Sequence, residues 1–256
     1  MALSDNKYAV RSVKRAFEIL EALRDDRELR LIDISRKLGI PKGMVFKLLE
    51  TLGSLGYVKK NQDTGRYRLG IRLFELGSSA LSYIKEREEL HSILQALVDE
   101  TNETAHFAVL QGGEVLYLDK VESRASLRMV TAIGLRRPAY CTGTGKALLA
   151  WQPEDFVRRI MNGSVTRFTP NTITDVDSLL KELALVRERG YAVDNEENEP
   201  GIICIGTPVR NHEGSVVAAI SLAGPSIRIG PEIVPVLAKR VIETAQVIRD
   251  RLGYIL

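Results

Sequence analysis

The sequence predicts a mixed α/β (α+β) protein with two domains, and three observations support this fold class. The chain has 256 residues, more than the roughly 150 of an average domain, and its 45% hydrophobic and 27% charged residues are ordinary for a globular protein. Apolar residues recur at helical spacing near the N-terminus, whereas helical and alternating segments are interspersed later. Charge is also uneven, because residues 1–76 contain 16 Lys and Arg against 10 Asp and Glu.

This uneven charge gives residues 1–76 a formal charge of +6 and leaves −3 for the remainder, within a total of +3. A basic head on a mildly acidic body suggests that the head meets a polyanion. The alternative is a solvated surface on which charge happens to fall unevenly.

The head begins with an amphipathic helix, predicted over residues 12–24 with Ser12 as its N-cap. Its apolar positions recur at spacings of three and four and are expected on one face. They are Val13, Ala16, Phe17, Ile19, Leu20 and Leu23.

A helix-turn-helix is predicted next, from helices over residues 31–38 and 42–54. Gly39 permits the tight turn between them, Pro41 suits the first turn of a helix, and Ser35 is small enough for close helix crossing. Two alternating segments then surround the polar tip 62–65, as expected for a hairpin with a glycine turn. The head is therefore predicted to be a winged helix-turn-helix domain, residues 1–76.

The exposed face of the third helix and the flanks of the hairpin are the candidate DNA contacts. Lysines supply charge for phosphates, and Phe46 suits a thymine methyl in the major groove. The candidate residues are Lys42, Gly43, Met44, Phe46 and Lys47 on the helix and Lys59, Lys60, Arg66 and Arg68 on the wing. The alternative is a protein-binding module with the same fold.

A linker helix is predicted over residues 77–88, where helical apolar spacing continues from Leu73 until the charged run 85–89 interrupts it. That run is either a solvated face or the border of a dimer seam. The body, residues 89–256, mixes both kinds of element. Helices are predicted over 89–101, 145–151, 153–161, 175–189 and 231–252, and strands over 104–110, 114–120, 126–132, 191–194, 202–207 and 216–223.

The segment 190–211 makes the chain resemble the IclR family of bacterial transcription regulators over nearly its full length. The matching residues are Gly190, Asp194, Glu197, Cys204-Ile205-Gly206, Val209 and Asn211, and segment 142–150 also resembles the family's loop and helix. Arg210 departs from the family, which usually has an aromatic residue or His there. Gly43, Met44 and Lys47 stand where Ser, Thr and Arg are usual.

The resemblance implies a ligand-controlled DNA-binding regulator, a dimer or dimer of dimers, with a GAF-like effector-binding body. The regulator is expected to be a repressor of a catabolic operon, and an activator is the alternative. Its effector is expected to be a small organic acid. The residues that match the family's effector pocket are Met129, Gly143, Thr144, Asp194, Glu197 and Cys204, to which we add Leu127 and Ile133 as neighbouring apolar wall.

The chemistry of these residues is open to more than one interpretation. Gly143-Thr144-Gly145 precedes a predicted helix, so its N–H groups suit a carboxylate, although a plain glycine-rich turn is the usual interpretation of such a loop without other support. Asp194 and Glu197 either accept hydrogen bonds from ligand hydroxyls or belong to a solvated acidic loop. Cys204 is otherwise a packing cysteine, and Arg137 is either a partner for a ligand carboxylate or a surface arginine.

Other chemistries have weaker support in the sequence. A hydrolase using Cys204, His212 and Glu197 lacks a nucleophile motif, and neither a zinc-type spacing nor a disulfide framework is present. Cys141 and Cys204 would form a redox switch only outside a reducing compartment. We expect no cofactor other than the effector, no catalysis, no membrane span and a cytoplasmic location.

Overall fold

The protein is described here by a computed structural model that covers residues 10–82, 87–163 and 165–253. Its contacts divide the chain into two compact units, Met1–Lys85 and Glu86–Leu256. This division lies inside the segment 77–88, which the sequence predicts to be the linker. Residues 83–86, including Ile84 and part of the charged run, lie outside the described residues.

Four helices and a small sheet lie within the described residues of the N-terminal unit. In chain order the elements are α1 (Arg11–Asp26), β1 (Leu29–Arg30), α2 (Leu31–Leu38), α3 (Lys42–Ser54), β2 (Val58–Lys60), β3 (Arg66–Leu69) and α4 (Arg72–Ser82). The strands are antiparallel in the order β1-β3-β2. Bounds of α2 and α3 agree with the sequence prediction to the residue, and the two-residue β1 was not predicted.

The start and the apolar face of α1 differ from the prediction. Ser12 lies inside the helix, whose N-cap is Val10 with no side-chain hydrogen bond, so the predicted Ser12 cap is wrong. Ile19 and Leu23 are buried as expected, but Val13 and Phe17 are 54% and 61% exposed. The spacing of three and four residues places all the apolar side chains of α1 on one broad stripe of the helix. Only one edge of that stripe faces the core, so the residues on the other edge are exposed.

The turn between α2 and α3 is held by local bonds. Gly39 ends α2 with a left-handed φ of +64°, a conformation that glycine adopts without steric penalty. The Ser35 hydroxyl donates to the Ile40 carbonyl at 2.6 Å. Ser35 therefore fastens the turn in addition to allowing the helices to cross closely.

Two close contacts shape the wing. The Asn61 side chain accepts from the Asp63 and Thr64 amides and forms the tip of the hairpin. A Cβ at Gly70, just after β3, would overlap the Gly56 carbonyl, so only glycine fits where the hairpin returns to the helices. Neither Asn61 nor Gly70 was singled out from the sequence.

The C-terminal unit is a six-stranded antiparallel sheet with helices on both faces. Its elements are α5 (Arg87–Thr101), β4 (Thr104–Gln111), β5 (Glu114–Val121), β6 (Arg136–Pro138), α6 (Gly143–Leu149), α7 (Glu154–Met161), α8 (Val176–Arg189), β7 (Ala192–Asn195), β8 (Ile202–Arg210), β9 (Val216–Pro225) and α9 (Val234–Leu252). The strand order is β6-β5-β4-β9-β8-β7.

Two apolar cores lie on opposite faces of this sheet. Alternate residues of the central strands, such as Phe107, Ile205 and Leu222, pack with α5 and α9. The other core includes Ala108, Ala219 and residues of α6, α7 and α8. Polar side chains that replace apolar ones on this second face are therefore candidates for a binding site.

One predicted element of the body is wrong, and another begins two residues earlier than predicted. Residues 126–132 form no strand but belong to an irregular loop, because the outer edge of β5 is paired by the unpredicted β6 instead. The helix predicted from residue 145 begins at Gly143, so the glycine segment is its first turn and not a loop before it. The remaining body elements differ from the predictions only by a few residues at their ends.

Candidate functional site

The outward face of α3 carries the predicted base-contacting residues. Val45, Leu49 and Leu52 are buried and fix the helix to the unit's core. The opposite positions are exposed and are Lys42, Gly43, Met44, Phe46 and Lys47. The Arg15 guanidinium of α1 contacts the Met44 sulfur, which brings a further cation, one not predicted from the sequence, to the edge of this face.

The wing places cations opposite one another across its two strands. Lys59 pairs directly with Arg68, and both are exposed. No carboxylate in the described parts of the chain lies within ion-pair distance of either. Like charges directly opposite destabilise a hairpin, so this arrangement favours an external polyanion.

The other two predicted wing cations have contacts within the unit. Lys60 lies 5.6 Å from the centre of the Tyr67 ring. The half-buried Arg66 donates to the Glu28 carbonyl at 3.4 Å. Arg66 thus joins the wing to the segment after α1 as well as adding charge.

A polar row crosses the second face of the sheet in the C-terminal unit. His106 on β4 pairs with Ser221 on β9, Ser221 pairs with Gly206 on β8, and Cys204 pairs with Asp194 on β7. We call His106, Ser221, Cys204 and Asp194 the polar row. All four side chains are buried. The row spans four strands where apolar residues would otherwise complete the core.

Helix α6 lies directly on this row. A Cβ at Gly143 would lie 2.8 Å from the Cys204 carbonyl oxygen, and a Cβ at Gly206 would overlap the Gly143 carbonyl. The two glycines therefore allow main chain to pack on main chain. Burial raises the pKa of the Cys204 thiol to about 12, and the Gly143 and Thr144 amides that face its sulfur oppose this shift only in part.

Two of the four amides in the first turn of α6 are satisfied within the chain. Thr142 is the N-cap, and its hydroxyl accepts the Gly145 amide at 3.2 Å. The Thr142 carbonyl accepts the Lys146 amide at 2.8 Å. The other two amides, those of Gly143 and Thr144, face Cys204, so the nest has two N–H groups and not four, and a carboxylate there stays a prediction.

Asp194 is a buried carboxyl at the β7 end of the row. Its Oδ1 accepts the Glu197 amide at 2.7 Å and the Asn198 amide at 3.4 Å. Burial raises its pKa to about 7, although these amides and Lys146 lower it. Asp194 therefore changes charge near neutral pH.

Lys146 and Glu197 form a buried ion pair beside Asp194. The Lys146 side chain is 1% exposed, and its ammonium contacts Glu197 Oε1 and the Val193 carbonyl. Glu182 of α8 lies 4.0 Å from the same ammonium. The pair joins α6, β7, α8 and the loop after β7.

Two buried atoms in this site lack a hydrogen-bond partner within the part of the chain that the structure describes. They are Glu197 Oε2 and the Thr144 hydroxyl, the latter close to the Tyr117 hydroxyl but outside hydrogen-bonding geometry. Buried polar atoms are nearly always satisfied, and an unpartnered one indicates a bound molecule or water. Together with the polar row they mark the candidate site for a small polar ligand.

The predicted effector residues do not all meet in this site. Gly143, Thr144, Asp194, Glu197 and Cys204 are brought together around α6 and β8. Leu127 and Ile133 lie exposed in the loop 122–135, where the Met129 carbonyl accepts the Thr104 hydroxyl at 3.4 Å. Arg137 is half-buried on β6, and its guanidinium donates to the Arg136 carbonyl at 3.2 Å.

Sequence reasoning missed His106, Ser221, Tyr117 and Lys146. The Tyr117 ring packs on the His106 ring with centroids 5.1 Å apart, and Arg137 and Cys204 act electrostatically on its hydroxyl. His106 and Ser221 each interrupt an otherwise apolar strand. That interruption is a signal in the sequence, but it gives no indication of which strands become neighbours.

The geometry does not favour the cysteine chemistries considered from the sequence. The His212 ring contacts the Gly253 carbonyl at 3.1 Å, beyond the end of α9. Burial raises the pKa of Cys141 and Cys204 to about 12, the opposite of what a nucleophilic or redox-active thiol needs. Both thiols are free, and the described residues contain no group of acids, histidines and cysteines able to hold a metal.

Among the helices of the described ranges, none combines the length and the apolar character that crossing a bilayer requires.

A winged helix with a cationic wing, on the same chain as a sheet that carries a buried polar row, is the arrangement of a DNA-binding transcription regulator with an effector domain. Two family profiles match the chain. The IclR helix-turn-helix domain matches residues 12–62, and the bacterial transcriptional regulator IclR C-terminal domain matches residues 78–250. The chain belongs to the IclR family of bacterial transcription regulators.

Individual relatives agree with this assignment over nearly the whole chain. The transcriptional regulator KdgR of Escherichia coli is 36% identical, with 96% of this chain and 94% of that protein covered. The transcriptional repressor AllR of Salmonella typhimurium is 34% identical, with 94% and 90% covered. The crystal structure of Thermotoga maritima IclR matches with a TM-score of 0.73 and 35% identity, covering 95% of this chain and 99% of that one.

Proposed function

We propose that this chain is a repressor of a catabolic operon that leaves its operator when a small organic acid occupies the C-terminal unit. The observation that carries the effector part is the pair of buried, unpartnered atoms, Thr144 Oγ1 and Glu197 Oε2, beside the polar row. The description of the relative AllR as a repressor supports the sign of regulation. An activator of the same family is the alternative.

The proposed DNA interface combines the α3 face and the wing, with domain limits of 1–76 for the head and 89–256 for the effector domain. The α3 face enters the major groove, and the wing cations contact phosphates. The contacting residues are Lys42, Gly43, Met44, Phe46, Lys47, Lys59, Lys60, Arg66 and Arg68.

The proposed effector site extends from the sheet to the loop 122–135. Polar ligand groups bind at Gly143, Thr144, Asp194, Glu197 and Cys204, and the ligand's remaining surface is covered when Leu127, Met129, Ile133 and Arg137 move over it. Ligand binding that differs between two arrangements of the protein shifts the balance between them, which is what operator release requires. The protein acts in the cytoplasm as a homodimer or dimer of dimers and catalyses no reaction.

A thermal-shift screen tests the effector site. Pyruvate, gluconate and benzoate represent a keto acid, a sugar acid and an aromatic acid. An acid that binds the folded state raises Tm in proportion to the logarithm of its concentration. Asp194→Asn and Cys204→Leu are expected to reduce this shift while leaving operator binding intact. A normal shift in both variants would mean that the pocket lies elsewhere.

A gel shift with genomic fragments tests the DNA interface and the sign of regulation. We expect a roughly palindromic site whose affinity falls steeply with salt, because phosphate contacts release counterions. Absent or salt-insensitive binding would contradict the proposal. Transcription in vitro from the bound fragment then separates a repressor from an activator. Turnover of any tested acid by the pure protein would favour an enzyme instead.

A further inference from the structure

His106 occupies the end of the polar row that the effector residues predicted from the sequence do not reach. It is 1% exposed, in a strand whose neighbouring residues Ala105 and Phe107 are apolar. Its Nε2 lies 2.8 Å from the Thr131 hydroxyl, and its Nδ1 lies 3.5 Å from the Ser221 hydroxyl. The imidazole thus bridges the row to residue 131 of the loop 122–135.

The surroundings of His106 keep it uncharged. Burial, with the Lys120 ammonium nearby, lowers its pKa to about 4, and only Glu122 opposes this. A neutral imidazole carries one N–H donor and one acceptor. One ring nitrogen therefore donates while the other accepts, so what binds at Nδ1 determines the role of Nε2.

The loop 122–135 is held to the sheet near Thr131. The Lys120 ammonium donates to the Thr131 carbonyl, and the Thr104 hydroxyl donates to the Met129 carbonyl at 3.4 Å. The Thr131–His106 bond adds the contact that reaches the polar row. Three large apolar side chains of the loop, Leu127, Val130 and Ile133, are exposed, Val130 at 71%. The loop therefore has apolar surface that a closer arrangement would bury.

We propose that His106 is a positioning residue that couples occupancy of the polar row to the loop 122–135 through Thr131. The proposal rests on the proposed function only in taking the row to be the effector site. A ligand oxygen at Nδ1 fixes the role of Nε2, because a hydroxyl that donates there makes Nε2 the donor to Thr131, whereas a carboxylate that accepts there makes Nε2 the acceptor from Thr131. Hydrogen bonds in such a chain strengthen one another. Ligand binding then holds the loop more firmly, and a firmly held loop raises ligand affinity by the same factor.

Limited trypsin digestion of the full-length protein without ligand tests the first half of this coupling. Arg124 and Arg128 lie in the loop and are exposed. Thr131→Val removes the hydroxyl and retains the shape, so cleavage at these two sites should be about five-fold faster, the factor expected for one lost hydrogen bond. Thr131→Ser keeps the hydroxyl and should restore the wild-type rate. Equal rates in all three proteins would overturn the coupling.

Histidine NMR separates positioning from simple packing. The chain has three histidines, so ¹⁵N-histidine labelling gives a spectrum simple enough to assign His106 with His106→Gln. We expect a neutral ring in one tautomer at pH 6, with a Nε2 signal that changes in Thr131→Val and returns in Thr131→Ser. A His106 signal that is indifferent to Thr131→Val would overturn the proposal even if the loop loosened.

Pyruvate, gluconate and benzoate then test whether ligand binding holds the loop 122–135 more firmly. An acid that raises Tm should slow cleavage at Arg124 and Arg128 in the wild type by several-fold and have little effect on cleavage in Thr131→Val. Equal protection in the two proteins would overturn the coupling to ligand. If no acid raises the wild-type Tm, the effector assignment fails, and the His106–Thr131 link is judged by the digestion and NMR results alone.

Discussion

Asp194 shows how one buried carboxyl makes the C-terminal unit sensitive to pH. Its folded pKa of about 7 exceeds the ordinary value of 3.8. Between these values the folded chain holds a proton that the unfolded chain releases. The free energy of unfolding therefore falls as pH rises from about 4 to about 7.

We predict that Asp194→Asn removes this dependence. The wild type should lose a contribution of the order of 4 kcal/mol across the window, because each pKa unit corresponds to about 1.4 kcal/mol. Urea unfolding at several pH values measures it, with fluorescence of Trp151, the chain's single tryptophan, reporting on the C-terminal unit. Parallel curves for the two proteins would show that Asp194 is ionised throughout.

The Lys146–Glu197 pair predicts a second effect of a single residue. Removing one member of a buried ion pair leaves an uncompensated charge, so Lys146→Met should lower the free energy of unfolding by about 3–5 kcal/mol. Adding Glu197→Gln should recover part of that loss, because the remaining charge is removed too. The same Trp151 measurement tests both, and strictly additive losses would contradict the pair's importance.

At the scale of elements, the contact between α6 and β8 depends on two glycines. We predict that Gly206→Ala destabilises the C-terminal unit by about 1–3 kcal/mol, since a Cβ there would overlap the Gly143 carbonyl. It should also abolish the thermal shift by any acid that binds the wild type. Gly77→Ala is the matched control, because a Cβ at this position in α4 meets nothing. An unchanged Tm in Gly206→Ala would contradict the packing.

The recognition helix gives a prediction about salt. Lys47→Ala should reduce the slope of log affinity against log salt by about 1 if Lys47 contacts a phosphate. Fluorescence anisotropy with the operator identified by gel shift measures this slope. Lys239→Ala serves as control, since it removes an exposed lysine from α9. A slope change of the same size in the control would point to general charge and not to the α3 face.

Elements held by local interactions were predictable from the sequence, and elements that depend on a partner were not. Helix α2 ends at Gly39, and helix α3 begins after Pro41. Both residues are local signals. Residues 126–132 alternate as a strand does, yet whether they pair depends on which segment takes the edge of β5. His106 and Ser221 come together only because β4 and β9 are adjacent, and no short-range pattern encodes that adjacency.

The candidate site followed the same division. Gly143, Thr144, Asp194, Glu197 and Cys204 were proposed through family resemblance, and the structure brings them together. Lys146 looked like an ordinary helix lysine, because its burial depends on α8 and on the loop after β7. Thr142 satisfies the helix amides through a cap visible only once the helix start is known.

At the scale of the whole molecule, the N-terminal unit leaves unusual apolar surface uncovered. Phe17 on α1 and Ile71 and Phe74 just before and within α4 are between 61% and 72% exposed. Large apolar side chains left this exposed indicate an interface, and self-association is the proposed one.

We predict that Phe74→Glu lowers the association state of the protein in analytical ultracentrifugation and weakens binding to a palindromic operator, which needs two heads. Leu185→Glu is the matched control, since it places the same charge at another half-exposed apolar residue, on α8. A loss of association in the control alone would locate the interface on the C-terminal unit.

The glycine contact between α6 and β8 has a consequence for how this regulator can be retuned. Laboratory evolution toward a new inducer should accumulate substitutions at His106, Thr144 and Ser221, where a change of side chain alters the shape of the site. Gly143 and Gly206 should stay invariant in every selected clone, because their backbones touch and tolerate no added atom. A biosensor library in which these two codons are left unchanged should therefore contain far fewer variants that fail to fold.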